Sequence, residues 1–315
     1  MTIESFKPRL WGSALEVPFK DALVFGQPGI TDTRFQQMLQ RGGRSVTINA
    51  IGDADIRKHD RTQNLTYDDI STTEMELVMD QEWYFGFRVN DVDKVQAAGD
   101  FQSTATKEHA HKLAVQVDGY LAQSLAADAG TKLKTKPIFD GADYYRPAEG
   151  QTTAWDALRQ VVTELNKNSA PNSNRWVVVG PNFASALLAD RRVTEADKTG
   201  TDRIARNGIV ADLPILGLTV YQTNAIPMVA GRETIIAGVP GALVSAIQLY
   251  EIEALRDQNR FGDLVRGLEV AGAKVIRPKG VVTLEADVKP GTLGGGATAD
   301  TCLLYTSDAA DEGLG

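Results

Sequence analysis

The sequence predicts an elongated α+β protein, and three observations predict it. Residues 73–94 carry a period-2 apolar stripe of unusual length. A run of apolar residues at i, i+4 spacing follows, as in a long amphipathic helix. Beyond Gln151, short helical and strand-like segments alternate.

The 315 residues are 43% hydrophobic and 23% charged, the make-up of a globular chain. That length suits about two domains with a sizeable core. The formal net charge is -8 and no Lys/Arg cluster appears, so a nucleic acid would be contained loosely rather than gripped. One cysteine, Cys302, cannot form an internal disulfide, and no cleavable apolar leader opens the chain, which suits a reducing cytosol. No apolar run approaches the roughly 20 residues of a membrane span, so the chain reads as soluble and without membrane contact.

Residues 1–43 mix Pro8, Pro18 and Pro28 with Gly12, Gly26 and Gly29, too many breakers for one helix. They read as an extended arm lying on another surface, with "DTRFQQMLQRGG" as a short helix stopped by Gly42 and Gly43. "RSVTINAIG", residues 44–52, alternates Val46, Ile48 and Ala50 with Thr47, Asn49 and Ile51, which reads as a strand. About twenty polar residues with little periodicity follow, a length usual in functional or disordered loops.

Met75, Leu77, Met79, Trp83, Phe85, Phe87 and Val89 then line one side of a second strand, interrupted by Gln81. At roughly 3.3 Å per residue this strand would extend about 50 Å, where about five or six residues are ordinary. The two strands predict a hairpin over 44–90 with a long mobile tip. A two-stranded hairpin is marginal alone, yet burying each large side chain of the stripe is worth roughly 1.5 to 3 kcal/mol. The basal end, Trp83 to Val89, can rest on its own domain, and the distal end calls for another chain.

Val92 and Val95 at i+3, then Leu113, Val117, Leu121 and Leu125 at i+4, predict a helix capped by Asn90 or Asp91 and stopped by Gly130. Its length would be about 35 to 40 residues, roughly 55 Å, with a break at Gly99. In 147–248, "TTAWDALRQVVTELNKN" predicts a helix with Trp155, Leu158, Val162 and Leu165 on one face. "RWVVVG" reads as a buried strand and "PNFASALLAD" as a helix with Pro181 in its first turn. "LPILGLTVYQTNAIP" and "ETIIAGVPGALVSAIQ" add strands around a Gly/Pro turn, completing a compact α/β domain. Residues 249–290 hold strand-like runs broken by Gly262, Gly267, Gly272 and Gly280, returning beneath the long helix. Residues 291–315 are a Gly-rich flexible tail. Its 302–312 stretch is similar to the translation of a sequencing adaptor and has no functional weight.

Catalytic chemistry has little to work with. His109 and His111 lie about 200° apart on the predicted helix, so they cannot share a metal as an i, i+4 pair does. With His59 they read as solvated. Neither a zinc site nor a Ser-His-Asp arrangement forms, and Cys302 lacks a base partner. "RGGR", "GVPGA" and "GTLGGG" match neither phosphate-binding pattern and read as turns. The carboxylate pairs Asp53/Asp55, Asp68/Asp69, Glu74/Glu76 and Glu251/Glu253 come without the signals of acid–base work. Glu74 and Glu76 keep one strand face soluble. The expectation is no enzyme, no cofactor and no metal.

The order of parts resembles the major capsid proteins of tailed bacteriophages, whose Hong-Kong-97-type fold is shared with encapsulins. The pieces that carry the resemblance are the arm, the hairpin from "RSVTINAIG" to "MDQEWYFGFRVNDVDK", the helix through "HAHKLAVQVDGYLAQSL", the segments "WVVVGPNFASALLAD" and "LPILGLTVYQTNAIP", and the returning "NRFGDLVRGLEVAGAKVIRP". Together they cover nearly all of residues 1–287.

The resemblance implies an N-terminal arm at 1–43, an extended β-hairpin (E-loop) at 44–90 and a peripheral domain with a spine helix at 91–146 and 249–290. The axial domain would occupy 147–248. It implies a viral structural protein that self-assembles through hexamers and pentamers into an icosahedral shell, enclosing double-stranded DNA without specific binding. Its location would be the virion, and the host cytoplasm during assembly.

Met75, Leu77, Met79, Trp83, Phe85 and Phe87 would be hairpin contacts between subunits, and Trp11, Phe19 and Phe25 arm contacts. A portal and a maturation protease are further partners. The 43 arm residues are too few for a fused scaffolding segment, so the scaffolding protein would be separate. Lys58 is the only hairpin lysine and has no identifiable acceptor, which favours a non-covalent shell over Lys–Asn isopeptide links.

Two readings compete with this one. The first is an encapsulin-like compartment housing a cargo enzyme, which the neighbouring genes would decide. The second is a metabolic α/β enzyme built on 151–248, which lacks a nucleotide loop or polar triad. On the sequence alone, Phe85→Asp or Trp83→Asp is expected to lower assembly in sedimentation more than helix content in circular dichroism. Equal loss of both would assign the stripe to an intramolecular core.

Overall fold

The computed structural model describes residues 23–39, 44–51, 72–90, 101–139, 149–190, 209–213, 216–249, 253–258 and 260–289, with Lys58 and Arg192. In chain order come β1 (Thr31–Asp32), α1 (Gln36–Leu39), β2 (Ser45–Ile51), β3 (Thr72–Val78), β4 (Gln81–Asn90) and the long helix α2 (Phe101–Ala127). Next are β5 (Thr131–Lys134), β6 (Ile138–Phe139), α3 (Ala154–Lys167), β7 (Arg175–Val179), α4 (Pro181–Ala189), β8 (Ile209–Leu213) and β9 (Leu218–Gln222). The chain continues with β10 (Met228–Val229), β11 (Arg232–Gly238), β12 (Leu243–Leu249), β13 (Glu253–Arg256) and β14 (Gly262–Val275). A 3-10 turn at Pro278–Gly280, β15 (Val281–Ala286) and β16 (Val288–Lys289) close it.

A seven-stranded axial sheet runs β5-β15-β11-β7-β9-β8, with β10 on β11. All of β7 is buried because both of its faces are covered. Val177 and Val179 meet Leu158, Val161 and Leu165 of α3 and Phe183 and Leu187 of α4. Trp176 and Val178 point the other way, into a second core with Ile236, Val281 and Leu121 of α2. Side-chain alternation along a strand thus lets one sheet serve two cores. α3 buries Val161, and the predicted Val162 packs only at the margin. α4 begins at Pro181, as the first helical position tolerates. The N–H groups of Asn182 and Phe183 donate to the Glu233 carboxylate at 3.1 and 3.0 Å, so this helix start is satisfied from β11.

The peripheral sheet is ordered β1-β12-β14-β13, with β4 also on β14. β4 pairs antiparallel with β14 from Asn90 opposite Gly262 to Gln81 opposite Ala271. β12 and β13 share the other edge of β14. α2 crosses one face of this sheet, burying Leu113, Val117, Leu121 and Leu125 as their i, i+4 spacing predicts. The described helix has 27 residues, about 40 Å at 1.5 Å per residue. Asn90 ends β4, while Asp91, Val92, Val95 and Gly99 lie outside the described residues.

Three further expectations change. The apolar stripe is two strands, divided at Met79 and Asp80. β3 pairs with β2, Ser45 opposite Val78 through Ile51 opposite Thr72, whereas β4 belongs to the peripheral sheet. The hairpin proper is therefore two strands of seven residues each.

Gly262, Gly267 and Gly272 do not break the returning segment, because β14 runs through all three for 14 residues. A Cβ at Gly267 would meet the Phe85 ring at 2.5 Å, and one at Gly272 would strike the Val78 carbonyl. Glycine inside a strand here marks close approach.

The sheets also cross the 147–248 boundary. β5 and β15 join the axial sheet, while β12 leaves it for the peripheral one. The chain turns between them at Gly241, whose φ of 72° glycine adopts freely.

Two substitutions of opposite sign test this packing by urea unfolding. Gly267→Val is expected to destabilise the subunit by about 1 to 3 kcal/mol, the range for overpacked cores. A Cβ at Gly119 in α2 meets nothing within 4 Å, so Gly119→Ala is expected to stabilise by about 0.5 to 1 kcal/mol.

Candidate contact surfaces

The base of the hairpin is fixed to its own chain. Leu77 and Met79 are 0% and 4% exposed and pack with Val244, Ala246 and Val270, while Val46 and Ile48 of β2 sit at the margin of the same cluster. The Met79 N–H donates to the Arg44 carbonyl at 3.0 Å. Expected as contacts to another chain, Leu77 and Met79 are covered within the subunit. Met75, further out, is half-buried, with Glu74 and Glu76 exposed on either side.

β4 continues the stripe beneath α2. Trp83 meets the Tyr120 ring edge-on at 5.6 Å. Phe85 stacks on His109 and Phe87 lies tilted against it, with ring centroids 5.9 and 4.9 Å away. His109 is thus half-buried against aromatic rings rather than freely solvated. His111 Nε2 is buried without a hydrogen-bond partner among the described residues. His59 and Cys302 lie outside the described residues. With Trp83 and Phe85 under the helix, an aspartate at either position disturbs an intramolecular core, so helix content and assembly fall together.

Glu269 stands opposite Trp83 on this closed face and is itself buried. Burial alone pushes its carboxyl above the ordinary carboxylate value.

The other face of the same sheet is covered by the hairpin base at Val244, Ala246 and Val270 and is open toward β13. Tyr84 is 80% exposed, and Leu255 and Leu264, opposite each other on β13 and β14, are 44% and 37% exposed. Phe261, just before β14, is 85% exposed. Two ion pairs lie beside them, Arg266–Glu253 at 2.7 Å and Arg88–Asp257 at 3.2 Å. Exposed pairs of this kind add little stability, but they cancel charge across the patch. Sequence reasoning missed this surface, because Tyr84 stands among polar even-numbered positions and Phe261 lies outside any alternating run.

Phe25, expected as an arm contact, is fully buried in its own subunit with Val24, Ile30 and Leu121. Trp11 and Phe19 lie outside the described residues. Among the described residues, no group of His, Cys, Asp and Glu is arranged to hold a metal, and no helix is long and apolar enough to cross a membrane.

Two sheets joined by shared segments thus carry a long helix on one peripheral face, and on the other the hairpin base beside the exposed Tyr84, Leu255 and Leu264. A family model described as phage capsid protein matches residues 34–288. A chain from Mycobacterium phage Che8 is 30% identical with a TM-score of 0.71, covering 90% of this chain and 98% of that one. The capsid of cyanophage P-SCSP1u shares the fold at 17% identity and a TM-score of 0.67, over 89% of this chain and 93% of that one. The asymmetric unit of the bacteriophage PhiM1 mature capsid does so at 15% identity and a TM-score of 0.65, over 88% and 91%. No curated protein matches. The chain belongs to the phage capsid protein family, as a tailed-phage major capsid protein of Hong-Kong-97-type fold, a structural and non-enzymatic subunit that associates with its own copies into the virion shell.

Glu269 gives this packing a pH signature. With its folded-state value raised, the folded chain holds the proton more tightly than the unfolded one. The stability it contributes is fully present below the ordinary carboxylate range and is lost as pH rises through the raised value. Glu269→Gln removes that loss. Its unfolding free energy in urea should match the unsubstituted chain near pH ~4 and exceed it increasingly toward pH ~8. A difference that stays flat with pH contradicts the assignment.

Proposed function

We propose that this chain builds the icosahedral shell of a tailed bacteriophage or prophage around double-stranded DNA, with hexamers and pentamers as its units. The match of the phage capsid family over residues 34–288 carries this reading. It also favours a genome shell over a compartment for a cargo enzyme.

Neighbouring copies meet across the exposed face of Tyr84, Leu255 and Leu264 and at Phe261, which precedes β14. The paired charges there leave little local charge to oppose the approach of two chains of net charge -8. Met75 at the outer hairpin, with Trp11 and Phe19 of the arm, completes the proposed contacts. Many modest contacts in a closed array give stability without covalent links. The acidic balance supports DNA held without specific binding. A separate scaffolding protein, a portal and a maturation protease are proposed partners, with assembly in the host cytoplasm.

Expression with and without a coexpressed scaffolding protein is expected to yield closed icosahedral shells in the electron microscope. A strictly monomeric protein under every condition overturns the proposal. The double substitution Tyr84→Asp and Phe261→Asp is expected to cut shell yield about tenfold or more, the effect of removing an interface hot spot, with unchanged helix content by circular dichroism. Undiminished yield would place the contacts elsewhere.

A further inference from the structure

One edge of the axial sheet gathers basic side chains that are remote from one another in the sequence. Lys132, Lys134 and Lys136 alternate along β5 and just beyond it, each exposed, with Thr131, Leu133 and Thr135 half-buried between them. The strand period puts the lysines on one face. Leu133 packs at the margin of the core shared by α3 and α4, so the lysines face the other way.

β5 is the edge strand of this sheet and pairs in parallel with β15, Lys132 opposite Thr283 and Lys134 opposite Glu285. The turn before β15 brings in Arg277 and Lys279, both exposed. That turn is pressed against the start of β5. The Gly130 N–H donates to the Pro278 carbonyl at 2.9 Å, and a side chain at Gly130 would strike the same carbonyl.

Much of the charge in this row is unmatched. Lys134 pairs with Glu285 at 3.1 Å, and Lys274 with Asp128 at 3.1 Å. Lys132 donates to the Ala127 carbonyl at 2.8 Å, a neutral partner at the end of α2. Lys136, Arg277 and Lys279 have no ion pair among the described residues. A chain of net charge -8 thus carries a local basic patch.

The surroundings decide what such a patch meets. A protein partner calls for an apolar centre, and lysine is depleted at those interfaces. Among the described residues, no large hydrophobic side chain is exposed within 127–137 or 274–286. Phosphates need no apolar centre, and lysine meets them as a point charge. From Lys132 to Lys136 the row runs about 13 Å, a length over which duplex DNA carries about eight negative charges.

We propose that Lys132, Lys134 and Lys136, with Arg277 and Lys279, form the face on which the subunit meets the phosphate backbone of the enclosed DNA, so that this face lines the inside of the shell. This rests on the shell function proposed above and adds the place of contact. Phosphate contacts carry no base information, so the contact is independent of sequence.

The test compares the full chain with Lys136→Gln plus Lys279→Gln, and with Arg159→Gln plus Lys167→Gln as a control. The control removes equal charge from α3, on the opposite side of the axial sheet, and all four side chains are exposed. Binding of the unassembled subunit to a short fluorescent DNA duplex is followed by anisotropy as salt is raised. The unsubstituted chain is expected to bind two unrelated duplex sequences equally at low salt. Lys136→Gln plus Lys279→Gln should weaken binding several-fold and reduce the slope of log K against log salt by about 1.8, two contacts at about 0.9 each. The α3 control should leave that slope unchanged.

No binding by the unsubstituted chain at low salt, or equal losses in both variants, would overturn the proposal. So would a Lys136 and Lys279 variant that keeps its DNA binding but loses shell yield, which would give the patch to an acidic surface of another copy. An unsubstituted chain that binds DNA through these residues yet forms no shell would sink the shell function and leave the phosphate contact standing.

Discussion

A sheet has two faces, and in the peripheral domain α2 closes only one. β4 and β14 run side by side over ten residues, so parity along either strand decides which side chains lie beneath the helix. Trp83, Phe85, Phe87 and Val89 fall on the closed side with Val265 and Glu269. Tyr84, Arg88, Leu264 and Arg266 fall on the open one. A shift of one residue in register would exchange the two sets, exposing the aromatic stripe and burying the ion pairs. The paired glycine and ring at Gly267 and Phe85 resist that slip, since a shift of one residue brings Arg266 or Leu268, each with a Cβ, opposite the ring.

The same strand holds the hairpin upright. Two short strands alone are marginal, but Leu77 and Met79 are buried against β12 and β14, each contributing roughly 1.5 to 3 kcal/mol. The near contact between Gly272 and the Val78 carbonyl places the hairpin base directly on the sheet. The hairpin is therefore anchored at its base, with Met75 half-buried further out. The segment around Phe25 is anchored differently, by the Val24 and Gly26 N–H groups donating to the buried Asp118 carboxylate.

Much of this was legible in the sequence. The i, i+4 spacing of Leu113, Val117, Leu121 and Leu125 gave their burial, and the unbroken "RWVVV" gave a strand covered on both faces. The alternation through Trp83, Phe85 and Phe87 gave a face needing cover. It did not give the division at Met79 and Asp80, because period 2 reports which side is apolar and nothing about which strand lies alongside.

The glycines of "RFGDLVRGLEVAGAKV" looked like breakers because the ring and the carbonyl that require them are remote in sequence. Phe25 looked like part of a loose arm because its anchor, Asp118, is also remote. The open face was hidden for the same reason. Tyr84, Leu255 and Leu264 form no local pattern and come together only when β4, β13 and β14 align.

Oxidative footprinting of the free subunit and the assembled shell tests the division of the two faces most directly. Tyr84 and Phe261 should be modified readily in the free subunit and protected in the shell, with Phe85 and Phe87 modified slowly and equally in both. Equal labelling of Tyr84 in the two states, or new protection of Phe85 and Phe87 on assembly, would contradict it.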